Sequence, residues 1–313
     1  MRARRGSRLA LIASAVALLL AVVLAVLGGV RPAPAAAQRV DGATACGLPA
    51  GRSVRVSVTV EGQGERSALV HLPRRRAGRL PLIVALHGAY ADGAFMERYS
   101  GLSRLGDRQG FAVVYPDAAG PLWRISAAEG GADVQFLDVL LDAVLSGECF
   151  DASRVSAVGV SNGAGMVARF ACAGDDRLAG VVAVAGAYGP LPACQARRPL
   201  SLLEIHGTAD AVVPYRGTSQ DRRGDVLRWL RAWAGRDACR PFPRLRWERA
   251  RVARLDWTRC RDATTVAHLR LVGGTHAWPG ADPPDPGPQL GVSATDVAWS
   301  FLRERHRSPP AHL

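Results

Sequence analysis

Residues 155–172 read VSAVGVSNGAGMVARFAC, and the way this stretch folds decides the rest. Val155–Val160 is short and largely apolar, which suits a strand buried on both faces of a parallel sheet. Gly163–Cys172 then reads as a helix. Between them stands Gly159-Val160-Ser161-Asn162-Gly163, a serine with a glycine two residues to either side. A sharp strand-to-helix turn strains its central residue and needs small neighbours at those two places. Such a turn lifts a hydroxyl above the sheet and brings the next amide, that of Asn162, beside it. The competing interpretation is a glycine-rich turn whose serine only caps the helix.

Around this turn the chain alternates between strand and helix patterns. Ser53–Val60 places Val54, Val56, Val58 and Val60 on one face, with Ser67–Leu72 as its hairpin partner. Leu80–Leu86, Phe111–Tyr115, Val181–Val184 and Leu200–Ile205 read as further strands in the sheet interior. Helical spacing appears at Asp133–Leu145, Asp225–Ala234 and Ala294–Arg303. The order predicts an α/β fold, a mostly parallel central sheet flanked by helices. The segment between Val184 and Leu200 is too short for a large helical lid.

A serine on such a turn is followed along the chain by an acid and then a base. Of the histidines beyond Ser161 and the strands after it, His306 and His312 fall in a charged tail. His268 alternates with Val266, Arg270 and Val272, which predicts a surface strand residue. His276 lies in Gly273-Gly274-Thr275-His276-Ala277-Trp278-Pro279-Gly280, a loop able to present an imidazole at the sheet's carboxyl edge, and is the expected base. The expected acid is Asp210, in the loop after Leu200–Ile205; Asp221 and Asp225 look like helix caps. A second backbone donor is expected from Ala89, after Leu80–Leu86, beside that of Asn162. Tyr90 and Trp278 are pocket candidates, and His87 and His206, each next to glycine, read as structural.

The chain has 313 residues and a formal charge of +13, with 48% apolar and 21% charged side chains, which excludes disorder. Residues 1–37 are set apart: Arg2, Arg4, Arg5 and Arg8 precede an apolar run from Leu9 to Val30, which leads to Ala35-Ala36-Ala37. This predicts a signal peptide cleaved after Ala37, with an uncleaved membrane anchor as the alternative. Residues 38–313 are then long enough for one domain with its own core. The arginines are scattered and no nucleic-acid-binding signature accompanies them, so no nucleic-acid partner is expected. Cys46, Cys149, Cys172, Cys194, Cys239 and Cys260 all lie past the leader and suggest up to three disulfides in an exported protein. Fifteen pairings are possible; proximity favours Cys172–Cys194 and Cys239–Cys260, leaving Cys46–Cys149. No cysteine pair has zinc-site spacing, and neither metal nor organic cofactor is expected.

Six segments carry a family resemblance: LIVALHG (82–88), FAVVYPD (111–117), ADVQFL (132–137), DASRVSAVGVSNGAGMVARFAC (151–172), LEIHGTADAVVPY (203–215) and GGTHAWPG (273–280). Together they resemble the secreted esterases of the polyhydroxybutyrate-depolymerase type, which include feruloyl and acetylxylan esterases. The resemblance implies an α/β-hydrolase fold and a triad at Ser161, Asp210 and His276, with the oxyanion held at Ala89 and Asn162. Two departures stand out. Members often show LHGCGG where this chain has LHGAYAD, and Asp-Asp-Val-Gly-Phe where it has Ala132-Asp133-Val134-Gln135-Phe136. The expected activity is hydrolysis of small or polymer-derived carboxylic esters, polyhydroxybutyrate oligomers or feruloyl and acetyl esters of polysaccharides. The alternative is a non-catalytic cell-wall or polymer-binding protein on the same fold.

Overall fold

Leu80–Leu86 carries no polar side chain, and the strand it forms has no exposed face. Leu82, Val84 and Leu86 point into one apolar core; Ile83 and Ala85 point into a second. The same division recurs at Val181 and Ala183 against Val182 and Val184. Side chains alternate across a strand, so a run apolar at every position needs cover on both sides.

The computed structural model describes residues 38–39, 42–126, 131–173, 177–188, 194, 198–218, 225–282, 284–285 and 287–307. All lie in the unit Ala37–Leu313. The expected leader, Asp221 and His312 fall outside the described residues. The strands are β1 (Gln38–Arg39), β2 (Ser53–Val60), β3 (Gly64–His71), β4 (Leu80–Leu86), β5 (Ala112–Pro116), β6 (Phe150–Val160), β7 (Leu178–Val184), β8 (Ser201–Gly207), β9 (Arg244–Arg249), β10 (Val252–Trp257) and β11 (Val266–Leu271). They form one sheet in the order β1-β2-β3-β5-β4-β6-β7-β8-β11-β10-β9. From β5 through β11 the neighbours run parallel; antiparallel pairs add β3 and β2 on one side and β10 and β9 on the other, and β1 lies parallel to β2 at the edge.

The helices are α1 (Gly42–Gly47), α2 (Gly93–Ser100), α3 (Leu102–Gln109), α4 (Ala132–Leu145), α5 (Asn162–Cys172), α6 (Val226–Arg236) and α7 (Ala294–Leu302). Helices α4, α5 and α6 bury Phe136, Leu140, Val167, Phe170, Leu230 and Trp233 in one core. Helices α2, α3 and α7 bury Met96, Leu105, Ala298 and Phe301 in the other. Asp225 caps α6 by accepting from the Arg228 amide at 2.7 Å. Among the described residues no helical lid covers the sheet's carboxyl edge, and no helix is long and apolar enough to cross a membrane.

One expectation is corrected here. His268 is fully buried, because its register partner on β8 is Glu204 and the two side chains meet inside the sheet's cover. The sheet also extends past β11 by β10 and β9. Every residue of β9 is exposed, so its sequence, RLRWER, shows no core pattern to read. The disulfides are Cys46–Cys149, Cys172–Cys194 and Cys239–Cys260.

Candidate active site

Ser161 sits between the end of β6 and the start of α5 with φ 56° and ψ −121°, a conformation that strains any side chain bearing a Cβ. Its surroundings explain the two glycines. A Cβ on Gly163 would lie 2.2 Å from the His87 carbonyl oxygen, and one on Gly159 would lie 2.5 Å from that of Gly163. Only glycine lets α5 begin this close to the ends of β4 and β6. The turn is fixed through its backbone: the Ser161 amide donates to Val184 O at 2.9 Å, and Ser161 O accepts from Gly165 and Ala187.

Asp210 and His276 are brought together by two loops that zip against each other. A Cβ on Gly207 would lie 2.2 Å from Gly274 O, so the backbones approach as closely as glycine permits. Ala209 N–H donates to Gly274 O at 2.9 Å, and Gly273 N–H donates to Thr208 Oγ1 at 2.9 Å. Across this seam His276 Nδ1 lies 2.8 Å from Asp210 Oδ2. Asp210 Oδ1 accepts from the amides of Val212 and Val213. Burial favours the neutral acid, but the bonds from His206, His276 and the Val213 amide outweigh it and hold Asp210 well below the usual carboxylate range. The His276 side chain keeps 20% of its surface in solvent.

Ser161, Asp210 and His276 thus follow β6, β8 and β11, and all three stand at the carboxyl edge of the parallel strands. Such an edge is where α/β sheets carry their ligand sites. The loop after β4 borders the serine, since a Cβ on Gly88 would lie 3.5 Å from Ser161 Cβ. Ala89 and Tyr90 continue from there. Tyr90 is exposed at positive φ, and its amide donates to Pro121 O at 2.7 Å.

Trp278 takes a supporting place rather than an open one. It is fully buried, its indole N–H donates to Thr295 Oγ1 at 3.0 Å, and its amide donates to Tyr99 Oη at 2.9 Å. These contacts moor the His276 loop to the layer of α2 and α7. His87 is structural in its contacts: Nδ1 faces Gly88 O at 2.7 Å, while Nε2 accepts the Ala118 amide at 3.1 Å. Burial pushes its pKa down, against the pull of its hydrogen bond and nearby acids.

Three sets of side-chain contacts that matter here have no signature in the sequence. Asn162, the chain's single asparagine, accepts the Trp123 amide through Oδ1 and donates to Trp123 O through Nδ2, as a strand neighbour would. Trp123 in turn donates its indole N–H to His87 O at 3.0 Å. Asp133 is buried, pairs with Arg66 at 3.0 Å and accepts the Arg124 amide at 2.8 Å, so it braces the same loop from α4. Gln135, in the departing segment, bonds Gln63 in the β2–β3 turn at 3.0 Å.

The third is a buried polar cluster behind Asp210. Glu204 Oε1 lies 2.7 Å from His206 Nδ1, and Oε2 lies 2.7 Å from His268 Nδ1. His206 Nε2 faces Val213 O at 3.0 Å and Asp210 Oδ2 at 3.2 Å. Glu204 stands among Leu202, Leu203 and Ile205, and a lone carboxylate in such a run signals a buried counter-charge. Among the described residues no His, Cys, Asp and Glu group has an arrangement suited to a metal ion.

Residues 66–213 match the family described as esterase PHB depolymerase, a span that includes Ser161 and Asp210 and stops short of His276. The chain is 28% identical over 225 residues to the bifunctional acetylxylan esterase/xylanase XynS20E of Neocallimastix patriciarum, covering 69% of this chain and 32% of that protein. It is 27% identical over 234 residues to feruloyl esterase B of Piromyces equi, covering 68% and 42% respectively. The chain therefore spans less than half the length of these relatives. Among solved structures, acetyl xylan esterase from Aspergillus awamori superposes with a TM-score of 0.60 at 16% identity, covering 80% of this chain and 98% of that one. The chain thus has an α/β-hydrolase fold, and its residues 66–213 match the esterase family of the polyhydroxybutyrate-depolymerase type.

Proposed function

We propose that this protein is an exported serine esterase, with residues 1–37 as its leader and 38–313 as a single catalytic domain. The observation that carries this is the Asp210–His276 contact at the same sheet edge as a serine held in a strained turn. Ser161 attacks the ester carbonyl while His276 Nε2 takes its proton, and Asp210 supports the imidazolium that forms. The amides of Ala89 and Asn162 receive the oxyanion. His276 then protonates the leaving alcohol, and water repeats the sequence on the acyl-enzyme. No step calls for a metal or organic cofactor.

The substrate class is a carboxylic ester of a polymer or its fragments: polyhydroxybutyrate oligomers, or feruloyl and acetyl esters of polysaccharides. The family match and the names of the relatives support this range, as does the solvent access of His276. The three disulfides support an oxidising, extracellular setting. The test is labelling by a fluorophosphonate probe, followed by turnover of p-nitrophenyl acetate, methyl ferulate, acetylated xylan and hydroxybutyrate oligomers. Labelling at Ser161 with release of at least one of these acids is expected. A chain that binds polymer but neither labels nor turns over would be the non-catalytic binding protein instead.

A further inference from the structure

The period of a strand puts Glu204 and His206 on one face of β8, and the parallel register sets Glu204 opposite His268 on β11. All three side chains are fully buried. An acid there must find a counter-charge or surrender its own. The contacts of His206 decide which. Nδ1 faces the Glu204 carboxylate; Nε2 faces Asp210 Oδ2 and a carbonyl oxygen. Each nitrogen meets only acceptors, so the ring that satisfies its partners carries both protons. A negative, a positive and a negative group thus stand in line, from Glu204 through His206 to Asp210.

We infer that His206, clamped between Glu204 and Asp210, is a positioning residue of the triad, presenting an N–H and a positive charge to Asp210 and so aiming Oδ2 at His276. The inference rests on the esterase reading of Ser161, Asp210 and His276. Asp210 Oδ2 receives His206 at 3.2 Å and His276 at 2.8 Å, while Oδ1 is tied to two amides. The carboxylate therefore has no rotation left that keeps its bonds. Without the His206 cation, Glu204 and Asp210 would be two buried carboxylates facing each other, and one would take up a proton.

The other groups around His206 leave its charge in place. Tyr215 Oη lies 2.8 Å from His268 Nε2, and the Tyr215 ring stands edge-on to His206 at 5.9 Å. Tyr188 Oη donates to Glu204 Oε1 at 3.4 Å. Arg270, the register partner of His206 on β11, pairs with Glu248 at 3.6 Å. Arg216 and Asp225 act on Tyr215 from the neighbouring loop and helix cap.

Removing the His206 cation has two consequences of one sign. Asp210 holds a proton more readily, and so does His276, which no longer faces a positive neighbour through Asp210. Both move the acid limb of kcat/KM to higher pH. A residue that served packing alone would lower the folded fraction and leave the profile of each intact molecule where it was.

The experiment measures p-nitrophenyl acetate turnover from pH 4.5 to 9 in wild type, His206→Gln, His206→Leu and Glu204→Gln, normalised to the serine titrated by fluorophosphonate. Gln keeps an N–H toward Asp210 without the charge; Leu keeps neither. Per titrated serine, kcat is expected to fall about 10-fold in His206→Gln and about 100-fold in His206→Leu, with KM within about twofold. The acid limb should rise by about half a pH unit or more in both. Glu204→Gln removes a negative charge and should not raise it. If His206→Leu does not fold, His206→Gln decides: an unmoved acid limb overturns the inference. An equal rise in Glu204→Gln overturns it too, since that would be general loosening. A wild type that neither labels nor turns over overturns the esterase reading itself, and this inference with it.

Discussion

His276 Nδ1 lies 2.8 Å from Asp210 Oδ2, while the other oxygen of that carboxylate takes two backbone amides. Asp210→Asn preserves the shape of this contact and removes its direction, because an amide nitrogen cannot accept from His276. The imidazole then takes the wrong tautomer for a base. A loss of about 10⁴-fold in kcat is expected with KM nearly unchanged. Steady-state kinetics on the folded variant checks it, and a loss under tenfold would remove Asp210 from the mechanism.

Gly163→Ala puts a methyl group 2.2 Å from His87 O and 2.5 Å from Leu86 O, both backbone atoms of the β4 end. Nothing flexible is there to yield, so α5 must shift and carry Ser161 with it. Destabilisation of about 2–3 kcal/mol is expected, together with loss of fluorophosphonate labelling in the molecules that still fold. Urea unfolding and mass spectrometry read the two effects. Wild-type stability would show that the close approach has slack.

Asn162→Ala removes both bonds to the Trp123 backbone but leaves the amide of residue 162 in place. Stability should drop by about 1–2 kcal/mol, with kcat within about tenfold of wild type. The split separates the side chain, which holds the loop, from the backbone N–H, which is assigned to the oxyanion. A loss of about 10³-fold or more would mean that the carboxamide itself meets the substrate.

Stability should peak in mildly acidic solution. Burial works against the charge on His206, yet Glu204 and Asp210 push its pKa up to about 10. The folded chain holds that proton more tightly than the unfolded one, whose histidines titrate near about 6.5. The gain is therefore complete below about 6.5 and drains away as the pH climbs toward about 10. Asp210 is depressed, so its gain is present above about 3.9 and is lost as the pH falls below that. Melting temperatures across pH 3–10 should fall on both sides, and His206→Gln should flatten the alkaline side. An unchanged alkaline slope in that variant would contradict the assignment of charge.

The sheet interior was legible because Leu80–Leu86 and its parallel neighbours are apolar at nearly every position, and burial on both faces leaves that imprint. The elbow was legible because two glycines at fixed spacing answer to specific backbone contacts. His268 was misjudged for a physical reason. Alternation with Arg270 suggests a wet face, yet Arg270 reaches sideways to Glu248 while His268 turns to Glu204 across the register. Pairing of that kind joins residues 64 positions apart and leaves no local pattern. Strand β9 was invisible for the opposite reason, since a fully exposed edge has no apolar period. Its arginines blunt that edge against pairing with another chain. Helices α2 and α3 are eight residues each and meet at Gly101, whose left-handed conformation ends one and begins the next, so each offers only about two turns of pattern.

The disulfides gain meaning from where they stand. Cys149 immediately precedes β6, Cys260 precedes β11, and Cys172 and Cys239 lie at or beyond the far ends of α5 and α6. Every bridge thus fastens the amino-terminal rim of the parallel strands, while Ser161, Asp210 and His276 occupy the opposite rim. One side of the molecule is bolted and the other is free to be rewritten. Loops such as Gly88–Asp92 can change length or chemistry to suit a new ester without loosening a single covalent brace.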